Sequence, residues 1–307
     1  MKRFFLKAAL LCVLIIPTIA AIIFLLPLPE RSYNLAILDK HRILENTASP
    51  KIVLAGGSNL AFSIDSAAIQ NVFAIPVVNL GVHAGFGLGR ILDDASPFLR
   101  EGDVLIIAPE YSHFTGQWNG SISAYELIFD AQQHRLLRSP YYGQPTGFMG
   151  YVRLHLSALI ARYPPPDPLA YSRYGFNEYG DYIQHLTMEN QSFIPSENIG
   201  AVNPAYLAWF FRFVDDFTAR GITVALSYPS YEEHSFRNSA AEIAELDAAF
   251  RAKENLLVIS RPESYCFPAD LFYDTVYHLN AEGRTRRTNQ LIADLQASGL
   301  LEPPRKR

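Results

Sequence analysis

The residues best suited to chemistry are one serine and a late Asp/His pair. Ser58 stands in Gly56-Gly57-Ser58-Asn59, directly after the apolar run KIVLA at 51–55. A strand ending in two glycines permits a tight turn with unusual backbone angles and puts a hydroxyl at the sheet's carboxyl edge as a helix starts. Backbone N–H groups beside it could bind an oxyanion. The plainer reading of Ser58 is a helix cap after a glycine turn. Asp274 and His278 lie in Phe272-Tyr-Asp-Thr-Val-Tyr-His-Leu-Asn280. On one loop, a carboxylate four residues before an imidazole can fix its tautomer, and the imidazole can then take the proton of a serine hydroxyl. One histidine in a loop is ordinary. The three residues together point to acyl chemistry.

Other residues join them as candidates. The apolar run IPVVNL at 75–80 ends in Asn79-Leu80-Gly81, with His83, Gly85, Gly87 and Gly89 following. Gly81 can let the backbone approach a substrate oxygen. The glycines are spaced G-x-G-x-G rather than G-x-G-x-x-G, and no P-loop lysine follows, which argues against a nucleotide. The run VLIIA at 104–108 is followed by Pro109-Glu110-Tyr111. Glu110 reads as a ligand for a hydroxylated substrate or an orienting group, or equally as a surface residue with a local ion pair. Tyr111 and Tyr277 complete the substrate-binding candidates. Residues 141–182 are rich in tyrosine and include Glu178 and Asp181. That stretch reads either as a sugar-stacking surface or as a packed insertion covering the sheet edge. Cys266 has no partner cysteine outside the apolar N-terminus and reads as a buried thiol. The eight histidines are scattered without ligand spacing, so no metal and no cofactor are expected.

These residues need a scaffold. Short apolar runs at 51–55, 75–80, 104–108, 222–227 and 256–260 alternate with helical stretches near 61–70, on to 99, after Asn203-Pro204, and over about 281–297. The alternation predicts an α/β domain over 51–298, with a five-stranded parallel sheet covered on both faces in a three-layer, doubly wound arrangement. Ligands in such folds bind beyond the carboxyl ends of the strands. The rhythm breaks between about 116 and 203, a stretch rich in Tyr, Phe, Gly and Pro that includes the prolines at 164–166. Residues 29–50 read as a stalk and lead-in helix, and 299–307 as a tail ending in the basic PPRKR.

The chain has 307 residues, 49% hydrophobic and 18% charged, with a formal net charge of −4. No long basic run lies inside the folded part, so nucleic acid is not an expected partner. The apolar excess sits at 8–29, AALLCVLIIPTIAAIIFLLPLP, where Thr18 is the one polar side chain. About 20 apolar residues suffice to cross roughly 30 Å of hydrocarbon, and Pro17 is tolerable inside such a helix. Residues 8–28 therefore read as a single-pass transmembrane anchor. Lys2, Arg3 and Lys7 place residues 1–7 in the cytoplasm and the remaining chain in the periplasm or outside the cell. A cleaved signal peptide has a shorter apolar core, about 7–15 residues.

Gly56-Gly57-Ser58-Asn59 resembles the Gly-Asp-Ser block of the SGNH (GDSL) hydrolase superfamily, with Gly57 in place of the usual Asp. Asn79-Leu80-Gly81 resembles its second block, and Asp274 through Asn280 its final Asp-x-x-His block, here one residue longer. The resemblance covers about residues 50–297. It implies a flavodoxin-like strand order 2-1-3-4-5, Ser58 as nucleophile, His278 as general base and acid, and Asp274 as its orienter. It further implies that the N–H groups of Ser58 and Gly81 help form the oxyanion hole. The family's third block is absent after the third run, so its side-chain donor falls to Asn119 or Asn59. The form Asp-Thr-Val-Tyr-His-Leu-Asn is similar to membrane-anchored relatives in cell-envelope polymer acylation, such as the D-alanyl-lipoteichoic acid protein group. The implied activity is that of a serine esterase or acyltransferase on acyl (O-acetyl) esters of an envelope or extracellular polysaccharide. An acylated glycan would be its substrate and a membrane O-acyltransferase its partner. Two alternatives stay open: a catalytically degenerate SGNH-fold domain that binds glycan or scaffolds a polysaccharide-modifying complex, and a tethered esterase or lipase for small esters.

Overall fold

A computed structural model describes residues 1–25, 32–138, 145–160, 171–195 and 197–304. Its centre is a parallel sheet built from β1 (Ile52–Gly56), β2 (Val77–Asn79), β3 (Val104–Ala108), β4 (Thr223–Leu226) and, after the two-residue β5 (Tyr231–Glu232), β6 (Leu257–Val258). The strands lie in the order β2-β1-β3-β4-β6, all parallel, and β5 pairs separately with β7 (Cys266–Phe267). Val53, Ala55, Leu105, Ile107, Val224 and Leu226 face one core, while Ile52, Leu54, Ile106 and Ala225 face the other. Both faces being covered explains why these strands read as continuous apolar runs instead of alternating ones.

The helices supply the two outer layers. In chain order they are α1 (Lys2–Leu25), α2 (Ala36–Asn46), α3 (Ser58–Ser63), α4 (Ser66–Phe73), α5 (Leu88–Ala95), α6 (Ile122–Tyr125), α7 (Pro145–Ile160), α8 (Pro204–Ala219), α9 (Glu233–Asn238), α10 (Ala240–Arg251) and α11 (Ala281–Ala297). Side chains of α5, α8 and α10 fill the first core, and those of α4 and α11 the second. The helix expected near 61–70 is two helices. Ile64 and Asp65 are extended between them, and the Asp65 carboxylate caps α4 by accepting the Ala68 N–H at 3.2 Å. Asn203 caps α8 ahead of Pro204, and Asn280 caps α11, each accepting one orphan N–H of its helix.

The segment expected as a stalk and lead-in helix belongs to the domain. Tyr33, Leu35, Ile37 and Leu44 are buried in the core. Lys40 is 1% exposed and its ammonium donates to Asn79 O at 2.9 Å and Gly81 O at 2.6 Å, which ties α2 to the end of β2. In the expected insertion, residues 171–188 lie against this corner. Asp181 is fully buried and accepts from Ser66, Asn79 and Arg284, so its carboxylate is a structural crosslink and not a hydroxyl ligand.

Helix α1 has one apolar span, Lys2–Ala21, with mean hydropathy 2.3, long and apolar enough to cross a membrane. Pro17 lies within it without ending it. Its Ile19 packs against Tyr125, Tyr151 and Val152 of α6 and α7. Residues 26–28 of the expected anchor, the prolines at 164–166 and the basic end at 305–307 lie outside the described residues.

Candidate active site

The site forms where β1, β3 and the loop before α11 meet, beyond the carboxyl ends of the strands. Ser58 opens α3, so its N–H is among the donors a helix start leaves without an intrahelical acceptor. The two glycines before it are there for clearance. Neither has a positive φ. A Cβ on Gly56 would stand 2.4 Å from Ala108 O, and one on Gly57 would stand 2.5 Å from Glu110 Oε1 and 2.9 Å from Ala84 Cβ. The unusual backbone angles expected of this pair are absent; small size is what the position demands.

The second half of the site is a folded-back loop. An antiparallel bridge between Phe272 and Leu279 closes it, and the Tyr273 N–H donates to His278 O at 2.7 Å. Thr275 Oγ1 accepts the N–H groups of Tyr277 and His278, which curls the turn tightly. Asp274 Oδ1 thereby meets His278 Nδ1 at 2.7 Å across a four-residue spacing. Burial pushes the Asp274 carboxyl up, but the His278 contact and the Tyr171 hydroxyl outweigh it and hold the group below the ordinary carboxylate range. Phe62 stacks flat on the His278 ring, with centroids 4.0 Å apart and planes 7° from parallel. The imidazole is thus fixed by a carboxylate at one edge and an aromatic face beneath.

Ser58 and His278 border one cavity of about 460 Å³. They do not touch through a hydrogen bond in this structure. The Ser58 hydroxyl instead donates to Glu110 Oε1 at 3.2 Å, and the same oxygen accepts the Asn59 N–H at 3.1 Å. Glu110 is 5% exposed, so it is an internal orienting group and not a surface residue with an ion pair. Burial raises its carboxyl above the ordinary value, partly offset by His278 and by the Asn59 N–H. Glu197 borders the same cavity; burial raises it too, against the Tyr231 hydroxyl that donates to it at 3.0 Å. Two carboxyls therefore border the cavity, Glu197 and, beside Ser58, Glu110, and burial raises both.

Other expected site residues fall elsewhere. Gly81 does not border the cavity, and its N–H donates to Asn79 Oδ1 at 2.9 Å. Asn59 is fully buried, with its amide donating to Ala108 O at 3.2 Å. Asn119 lies off the cavity wall, and its main-chain carbonyl accepts from Arg90. Tyr111 is a core ring against Tyr228 and Tyr231, away from the cavity. Tyr277 does border it, beside Tyr231 at a centroid distance of 4.9 Å. Cys266 is half-buried in β7, where burial and nearby Glu233 push its thiol up to about 11, unsuited to a nucleophile. No group of His, Cys, Asp and Glu able to hold a metal occurs among the described residues.

Three contributors were not visible as site residues in the sequence. Tyr171 donates its hydroxyl to Asp274 Oδ2 and lies 3.3 Å from His278 Nδ1. Glu197 and His83 also border the cavity. Tyr171 and Glu197 come from the irregular stretch between β3 and α8, where no local pattern marks a contact with a loop a hundred residues later. Among the basic residues of α11, Arg287 is fully buried and donates to Asn59 O at 3.2 Å and Tyr228 O at 3.1 Å, steadying α3 from behind. No protein-family model matches this chain, and no curated protein matches it either.

Proposed function

We propose that this chain is a membrane-anchored serine esterase or acyltransferase of SGNH type. Ser58 is its nucleophile, His278 its general base and acid, and Asp274 the group that holds the imidazole. The observation that carries the proposal is the Asp274–His278 contact at 2.7 Å on the wall of the cavity that Ser58 also borders. A carboxylate on Nδ1 leaves Nε2 as the nitrogen for a serine proton. A five-stranded, all-parallel central sheet with the site at its carboxyl edge supports the same reading. In this proposal the Ser58 hydroxyl leaves Glu110 for His278 when substrate enters, since catalytic hydrogen bonds often tighten only in the complex. The N-terminus is cytoplasmic and the site faces outward. The substrate is an acyl ester of an envelope or extracellular glycan, with a membrane O-acyltransferase as a fitting donor partner. Tyr277, Glu110 and Glu197 offer hydrogen bonds to its hydroxyls.

A second reading is a degenerate domain that binds glycan or scaffolds a complex. It is favoured by the Ser58 hydroxyl resting on Glu110 and by the engaged Gly81 N–H. Treating the full-length protein in detergent with a fluorophosphonate probe, then mapping the modified residue, separates the two. Modification at Ser58 that disappears in His278→Ala supports the enzyme. A folded protein that stays unlabelled, yet binds glycan equally well as Ser58→Ala, belongs to the second reading.

A further inference from the structure

We infer that His83 is the side-chain oxyanion donor, a neutral imidazole that gives its Nε2–H to the carbonyl oxygen of the ester. This rests on the serine-acyl reading above. His83 Nδ1 accepts the Gly85 N–H at 2.8 Å, which fixes the neutral ring's proton on Nε2. Nε2 has no hydrogen-bond partner among the described residues, and the half-buried ring borders the cavity shared by Ser58 and His278. A Cβ on residue 85 would stand 2.7 Å from His83 Nδ1 and 2.9 Å from Cε1, so glycine there is what admits this ring position. Gly81, Asn59 and Asn119 are turned to other acceptors or away from the cavity. Burial, with His278 nearby, lowers His83 to about 4, which keeps the ring neutral at pH 7 and Nδ1 free to accept.

The step then balances on four groups. Ser58 Oγ bonds to the carbonyl carbon, its proton passes to His278 Nε2, and the C=O π pair moves onto oxygen against the His83 N–H. When C=O re-forms, the ester C–O bond breaks. The leaving alkoxide takes the proton from His278, and acyl-Ser58 remains for water or a glycan hydroxyl. Donors aimed at charge that develops in the transition state act on turnover more than on binding.

The test uses the full-length protein in detergent, with p-nitrophenyl acetate turnover and fluorophosphonate labelling measured side by side. His83→Phe keeps an aromatic ring but removes both the Nε2–H donor and the Nδ1 acceptor of the Gly85 N–H; His83→Gln places an amide N–H near the former Nε2. The expected result is a fall in kcat of about 10²–10³-fold for His83→Phe, with KM within about threefold and a melting temperature lowered by a few degrees, because Phe leaves the Gly85 N–H without its acceptor. His83→Gln should recover most of the loss, a rescue that a purely structural role would not show. If the wild-type protein turns over and labels at Ser58 while His83→Phe keeps its kcat, the His83 assignment falls and the serine reading stands. If the wild-type protein neither labels nor turns over, both fall.

Discussion

Tyr171→Phe removes one hydroxyl and isolates what it does for Asp274. The hydroxyl donates to Asp274 Oδ2 while Oδ1 holds His278. A hydrogen bond to a charged group contributes about 1.5–3 kcal/mol. The Asp274 side chain is 13% exposed, so water partly replaces the lost donor. The lower end applies, about 1.5 kcal/mol at pH 7. The sign with pH follows from the direction of the shift. The folded Asp274 carboxyl is held below its ordinary value, so its stabilisation is present above the unfolded value of about 3.9 and is lost as pH falls through the lower folded one. Once Asp274 is protonated the bond is neutral, about 0.5–1.5 kcal/mol, and the difference between variant and wild type should shrink by about half. Urea unfolding in detergent, at pH 7 and stepwise down to pH 3, reads this. With a slope of about 3 kcal/mol/M, the midpoint at pH 7 should drop by about 0.5 M. An unfolding difference that is the same at both ends of the pH range would refute the charge-assisted bond. So would a midpoint that does not move at pH 7.

Phe62→Ala removes a fully buried ring from under His278 and should destabilise the fold by about 3–5 kcal/mol by urea unfolding. Phe62→Leu should keep the fold and still slow fluorophosphonate labelling; unchanged labelling would show that the stack does not orient the imidazole. Gly57→Ala drives a methyl onto Glu110 Oε1 and Ala84 and should cost about 1–3 kcal/mol. Unperturbed stability would mean that the Ser58 turn has room to spare. For Glu110→Gln the pH dependence reverses that of Asp274. The folded carboxyl is raised by burial, so its contribution is full below the unfolded value of about 4.3 and is lost as pH rises through the folded one. Wild type should lose stability relative to the amide across that window in urea titrations from pH 4 to 8, and parallel curves would contradict a raised carboxyl.

The sheet was legible because its strands are buried on both faces. Runs at 51–55, 104–108 and 222–227 fall within a residue of β1, β3 and β4. The last helix was legible from its Asn cap and length. The break between α3 and α4 was not, because Ile64 and Asp65 are neither glycine nor proline and are held extended by tertiary contacts, such as the Asp65 N–H donating to Thr288 Oγ1 at 2.9 Å. Pairing of Asp274 with His278 could be anticipated because both sit on one loop. Tyr171, Glu197 and the burial of Glu110 could not, since each depends on which distant segment closes over the strand ends. The lead-in helix expected within 29–50 is α2, but its packing into the domain was not legible, because its polar surface hides a lysine whose ammonium is satisfied internally by carbonyls.

The contact of Ile19 with Tyr125, Tyr151 and Val152 has a mechanical consequence. It joins the far end of the apolar helix to the segment whose Ser121 N–H donates to Gly85 O at 2.7 Å, at the cavity rim. With α1 in a bilayer, this contact would hold the cavity mouth at a set height relative to the lipid instead of letting it swing on a tether. Lengthening the chain between α1 and residue 33 would then leave its reach unchanged until that contact is broken. If the site takes polymer-borne esters as proposed, they would be met only within a narrow band of depth, so selection by position along the polymer would come from geometry, with no recognition of sequence or length required.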